Sequence, residues 1–274
     1  MKPWQTAVRY GAIALAVILI VNIAVWGLKT FGFIFGLTSS GTYDEAKVYE
    51  FEPEHIENLE ISVAAAKLTM RADPCDKIIV KSNIKNLTVK ENGDTLKVKE
   101  KQGLLTVTHS DAFVEIFYPI GFSVDKAEIY GGAGKLLIGT LIAEEFDLEL
   151  GAGDTSIDQL TVTKEAEIVG GAGNLSFTRT EITALDLETG VGRLNFNGIL
   201  NGNNQISLGI GEAFLDFYDD SERYYFDVEK GIGEIEYHGT DDGNFKRENQ
   251  ETSVTIEGGI GKIAVTFFDK VNNQ

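Results

Sequence analysis

Period-two alternation of apolar and polar residues runs from about residue 59 to the C-terminus, punctuated by Gly-x-Gly triplets. The seven triplets are Gly132/Gly134, Gly151/Gly153, Gly171/Gly173, Gly190/Gly192, Gly209/Gly211, Gly231/Gly233 and Gly259/Gly261, with their second glycines spaced 19, 20, 19, 19, 22 and 28 residues apart. Apolar or small residues recur at positions minus 7, 5, 3 and 1 from the second glycine and then at plus 2 and 4. Around Gly153 these are Phe146, Leu148, Leu150, Ala152, Thr155 and Ile157; around Gly192 they are Leu185, Leu187, Thr189, Val191, Leu194 and Phe196. Period two predicts β-strand on both sides, and the change from odd to even parity at the second glycine predicts a bend or bulge there. Glycine suits such a corner because it reaches positive φ and lets neighbouring backbones approach closely.

Weaker copies of the pattern surround Ala66 (Leu59, Ile61, Val63, Leu68, Met70), Lys85 (Ile78, Val80, Ile84, Leu87, Val89) and Gly103 (Leu96, Val98, Leu105, Val107), making ten junctions in all. Each unit reads as a strand, a corner, a short strand and a return loop of variable length. Stacked about 4.8 Å apart, such units predict an all-β fold, a parallel β-solenoid with one inward ladder of apolar side chains. No proline follows Pro119, which suits stacked strands whose N–H groups are all donors. An antiparallel sandwich would instead show turns every 8–12 residues or so.

The first forty residues differ. Between Arg9 and Lys29 lie nineteen uncharged residues, YGAIALAVILIVNIAVWGL. As a helix they span roughly 30 Å, the thickness of a bilayer core. Trp4, Tyr10 and Trp26 stand where interfacial aromatics are expected, and Lys2 and Arg9 place the N-terminus in the cytoplasm. The run is longer than the apolar part of a usual signal peptide, and no cleavage motif follows it closely. The chain therefore divides into a cytoplasmic N-terminus (1–9), a transmembrane helix with its juxtamembrane segment (10–37), a linker and cap (38–58), degenerate coils (59–130), and Gly-x-Gly coils with a C-terminal cap (131–274). The lipid bilayer is the first expected partner, with the C-terminal domain extracellular.

Charge follows the same boundary. The 274 residues carry a net charge of −18, yet the first acidic residue is Asp44, so the acidity belongs wholly to the part beyond the span. An acidic surface excludes nucleic acid as a partner. One cysteine, Cys75, excludes an internal disulfide framework and thiolate metal sites, and three scattered histidines point away from an imidazole cluster. The triplets lack the third glycine and following helix of a dinucleotide loop and the Lys-Ser/Thr of a P-loop. No catalytic residue, cofactor or metal site is therefore assigned, and the chain is read as a non-enzyme.

Two surface features remain. Asp147, Glu149, Glu167, Asp186, Glu188, Asp227, Glu229 and Glu257 occupy outward positions minus 6 and minus 4, so stacking predicts an acidic stripe. Such a stripe suits divalent cations, cationic peptides or a basic segment of another envelope protein. Tyr218, Tyr224, Tyr225, Tyr237 and Phe245 fall in or beside the two longest intervals, either as an aromatic loop site or as a cap on the last coil.

The repeats LELGAGDTSIDQL, EIVGGAGNLSF and DLETGVGRLNF, preceded by FYPIGFSVDKAEIYGGAG and by one hydrophobic span, resemble the bacterial putative-adhesin family of β-strand-repeat proteins, a domain of unknown function. The resemblance covers about residues 45–268. It implies a β-solenoid at the cell envelope that acts as a binding or scaffold module, with roles in adhesion or in the response to envelope stress and antimicrobial peptides. It brings no catalytic residues. The chain lacks a Leu-Pro-x-Thr-Gly sorting motif, which leaves the N-terminal helix as the anchor. A stress-sensing subunit and a carbohydrate-active β-helix are the alternatives.

Overall fold

A computed structural model of the chain describes residues 42–101, 111–229, 231–238 and 250–268. The expected membrane span, and with it Gly103, Leu105, Val107 and Phe245, lies outside the described residues; among those described, no helix is long and apolar enough to cross a membrane. Apart from single 3-10 turns at Pro53–His55 and Ser221–Arg223, every regular element is a strand. These are β1 (Thr42–Phe51), β2 (Asn58–Val63), β3 (Lys67–Asp73), β4 (Ile78–Ile84), β5 (Leu87–Asn92), β6 (Thr95–Glu100), β7 (Phe113–Pro119), β8 (Ser123–Thr183), β9 (Leu185–Asn201), β10 (Asn203–Phe217), β11 (Tyr224–Glu229), β12 (Ile232–His238), β13 (Thr252–Glu257) and β14 (Ile260–Phe267), all joined in one sheet.

Equal offsets pair with equal offsets. Ile168 stands beside Leu187, Leu187 beside Ile206, Ile206 beside Ile256 and Ile256 beside Val228, all in parallel register. At the other end Val98, Ile61 and Ile129 continue the row. Ile61, Ile129, Ile168, Leu187, Ile206 and Ile256 have no exposed surface, so the ladder is the core. A second ladder after the corner holds Phe177, Phe196, Leu215, Val265 and Tyr237.

The corner is set by a close contact. A Cβ on the second glycine of each triplet would lie 1.7–2.4 Å from a backbone carbonyl oxygen of the adjacent rung, and one on the first glycine would meet the same limits. The second glycines also have φ between 139 and 154°, a region side chains rarely enter. Hydrogen is the only substituent that fits. The Ala64–Ala66 unit, also without glycine, stacks in parallel between β6/β7 and β8, whereas the Lys85-centred unit does not stack as a rung. There β4 runs antiparallel to β1 and to β7, and β5 antiparallel to β6. Ser82 and Asn83 turn inward and satisfy the backbone of the segment beside them: Ser82 Oγ donates to the Phe113 carbonyl at 2.8 Å, and Asn83 Nδ2 to that of Asp111 at 2.9 Å.

Two further features depart from the sequence reading. The expected return loop is itself a third wall in the central units, where Thr180–Thr183 pairs with Gly198–Asn201 and Ile182 and Leu200 point inward. Order in space also differs from order in sequence at both ends. β2 and β3 lie between β6/β7 and β8, and β13 and β14 lie between β10 and β11/β12. The last strands of the chain are thus hydrogen-bonded on both edges, and residues 224–238 form the terminal rung.

These contacts predict a graded response in chemical denaturation. Leu187→Ala should cost roughly 2–5 kcal/mol as a fully buried truncation, and Gly192→Ala about 3 kcal/mol or more, because both its φ and a backbone carbonyl must yield. Glu188→Ala and Val191→Ala, on the outer surface, should stay within about 0.5 kcal/mol. Similar losses at all four positions would contradict the register.

Candidate functional site: the outward columns

Stacking turns each outward offset into a column. Column minus 6 reads Lys97, Glu60, Glu128, Asp147, Glu167, Asp186, Gln205, Thr255 and Asp227 in spatial order, and column minus 4 contributes Glu149, Glu188, Glu257 and Glu229. The expected acidic stripe is therefore present but divided. Gln205, Ser207 and Thr255 separate a central group (Asp147, Glu149, Glu167, Asp186, Glu188) from a terminal group (Glu257, Asp227, Glu229). The break is set by Gln205 and Ser207, which hold these offsets in the rung next to Asp186 and Glu188, and the altered spatial order widens it by interposing Thr255.

Like charges on adjacent strands repel, and one end of the column is neutralised by lysines. Glu60 pairs with Lys97 at 2.5 Å and with Lys99. Burial opposes its ionisation, but the two ammonium groups outweigh it and hold the carboxyl below the ordinary range. Lys126 reaches Asp147 at 2.8 Å and Glu128 at 2.9 Å, and these bonds raise its own pKa. Deeper in the stripe the balance reverses. Burial, reinforced by Glu167 and Asp147, pushes the Glu149 carboxyl above its usual range. Among the described residues no group of three or more His, Cys, Asp or Glu is arranged to hold a metal ion.

The four described aromatics, Tyr218, Tyr224, Tyr225 and Tyr237, do not form one site. Tyr224 is fully buried, with ring centroids 5.2 Å from Phe217 and 5.5 Å from Phe267. Its hydroxyl accepts from Leu200 N–H at 3.3 Å, and burial raises its pKa. Tyr237 packs half-buried against the core. Only Tyr218 is well exposed; its ring stacks on exposed Phe268 at 5.1 Å. Tyr225 is half-buried. Tyr224 therefore belongs to the packing of the terminal rungs, because the longer interval returns the chain inward beside Phe217.

A feature not singled out from sequence lies over the glycines. With no side chains on the two glycine columns, a groove runs along the corner, lined by Leu136, Leu150, Leu175 and Leu194 and by the middle residues of the triplets. In spatial order those middle residues are Ala133, Ala152, Ala172, Val191, Ile210, Ile260 and Ile232. The last four are 45, 43, 43 and 54% exposed, an apolar edge open to solvent. The signal was present in the sequence, since three alanines give way to one valine and three isoleucines. Position plus 1 forms the neighbouring column: Lys135, Asp154, Asn174, Arg193, Glu212, Lys262 and Glu234. Within it Arg193 pairs with Glu212 at 2.6 Å, and Asn174 donates to Asp154 at 2.8 Å.

The raised pKa of Glu149 yields a pH prediction. The folded chain binds this proton more tightly than the unfolded one, so its contribution is present at acid pH and lost as pH rises through the raised titration range. Glu149→Gln should raise Tm at pH 7 and leave it unchanged below about pH 4, where both forms are neutral. Melting curves recorded across that range test this; a variant no more stable than the parent at pH 7 would refute it.

No protein-family model and no curated protein matches the chain. Solved structures similar to it include a putative cell adhesion protein from Clostridium sporogenes, 16% identical with a TM-score of 0.35, covering 82% of this chain and 99% of that one. A putative adhesin from Bacteroides fragilis is 11% identical with a TM-score of 0.43, covering 83% and 99%. A putative lipid binding protein from Parabacteroides distasonis is 14% identical with a TM-score of 0.32, covering 82% and 98%.

Proposed function

We propose that the chain is a β-solenoid binding or scaffold module of the bacterial cell envelope, tethered by its N-terminal span with the strand domain outside the cell, and that it is not an enzyme. The observation that carries this reading is the central acidic group. Stacking at equal offsets sets Asp147, Glu149, Glu167, Asp186 and Glu188 along one flank, where burial first, and the neighbouring Glu167 and Asp147 carboxylates second, raise the Glu149 pKa. A solvated face needs no such crowding, whereas an extended basic ligand relieves it rung by rung. The partner class that fits is a cationic peptide or a basic segment of another envelope protein. The corner groove and the core ladders serve as scaffold, holding the flank rigid along the stack.

Two experiments test the halves of this proposal. The triple variant Asp147→Asn, Glu149→Gln, Asp186→Asn should bind a labelled oligolysine at least about tenfold more weakly than the parent at low salt, with binding of the parent falling as salt rises. Equal affinity in the folded variant would remove the acidic flank as the docking surface.

For the tether, a reporter fused after residue 45 should be exported. In a Cys75→Ser background, a cysteine at position 5 should resist a membrane-impermeant thiol reagent in intact cells. The opposite labelling pattern would reverse the assigned topology.

A further inference from the structure

We propose that two copies of this chain associate face to face along the Gly-x-Gly corner, antiparallel, with Val191 on the two-fold axis; this goes beyond the reading of the acidic flank and does not depend on it. The gradient of side-chain size selects the orientation. Reversing one copy about the Val191 rung places Ile232 over Ala133, Ile260 over Ala152 and Ile210 over Ala172, so large meets small along the whole edge. In the plus 3 row the same reversal sets Phe214, the one aromatic of that row, opposite Ser176.

Charge selects the same register. In it Lys135 faces Glu234 and Asp154 faces Lys262, while Asn174 faces Glu212. Arg193 meets its own copy, but each carries Glu212 at 2.6 Å. Sliding the copies by one rung sets Lys135 against Lys262 and Asp154 against Glu212. A parallel arrangement about the triplet column sets isoleucine against isoleucine. On the other side of the corner the antiparallel register brings Glu149 towards Glu257 and Glu188 towards itself, which confines the contact to the triplets and the strand after them. Seven rungs at about 4.8 Å by three outward rows at about 6.6 Å cover on the order of 500 Å² per copy. The total of roughly 1,000 Å² is at the lower bound for a specific interface and implies a weak, reversible dimer.

Cysteine cross-linking of the full chain tests the arrangement, with the sole native cysteine removed as Cys75→Ser. Under mild oxidation Val191→Cys should form a covalent homodimer. Ala133→Cys and Ile232→Cys should each stay monomeric alone and cross-link when mixed. Asp158→Cys, exposed away from the triplet, sets the level of random collision. Glu234→Lys should slow Val191→Cys cross-linking by at least about tenfold, and adding Lys135→Glu should restore it. All of these cysteine positions are exposed, and a cooperative melt confirms that each variant folds. Val191→Cys cross-linking no faster than Asp158→Cys would overturn the proposal. So would Ala133→Cys dimerising alone, which marks a parallel contact, or a charge swap that fails to restore the rate.

Discussion

The contact between a glycine Cα and a carbonyl oxygen of the next rung is the constraint on which the structure rests. A methyl group at either glycine would have to occupy space 1.7–2.4 Å from that oxygen, so each triplet admits only glycine at its two flanking positions. Where both glycines are present, rungs close to hydrogen-bonding distance on both sides of a sharp bend, and strand parity can invert without opening the ladder. Where lysine stands in their place, at Lys85, the chain turns back and the pairing becomes antiparallel. The Ala64–Ala66 unit, with alanine at both positions, still stacks in parallel between β6/β7 and β8, so glycine is required along the triplet rungs but does not alone set where the stack ends.

Because the corner fixes register, every other position is copied in space. Inward positions become the ladders that supply the hydrophobic stabilisation, and outward positions become columns of one chemical kind. That copying has a cost where the repeated residue is charged. Lys97, Lys99 and Lys126 offset it at one end of the acidic columns, while Glu149 in the middle keeps a raised pKa. At the triplet the middle residue is copied too, which produces a long apolar edge out of residues that are individually unremarkable on a protein surface. The proposed docking flank and the proposed dimer edge lie on different columns of the same sheet.

The ends of the stack follow another logic. A rung at the end leaves one edge of its strands unpaired, which invites uncontrolled pairing with other chains. At the N-terminal end β4 and β1 continue the sheet in the antiparallel sense. At the C-terminal end the chain places residues 224–238 outermost and returns inward for β13 and β14. Phe217, Tyr224, Phe226 and Phe267 pack together at that exchange, with centroids 5.2–5.9 Å apart. The exchange buries the final strands between neighbours and explains why two of the aromatics near the long intervals serve packing and not recognition.

The sequence by itself determined the repeat, the inward and outward parity of nearly every strand residue, and the corner, because period-two alternation and the steric demand for glycine are local properties. Leu148, Leu187 and their equivalents could be placed in the core from spacing alone, and the acidic positions could be placed on one flank. Order in space and the third wall were decided only by the tertiary structure, whereas the break in the stripe was already written at Gln205 and Ser207. Parallel rungs with equivalent offsets can stack in any order, so nothing local distinguishes residues 252–267 as the inner rung from residues 224–238; the choice depends on which surface the long connection lets each one reach. The fate of Tyr224 follows from that choice, since the same alternating segment is surface or core according to what lies on its other side.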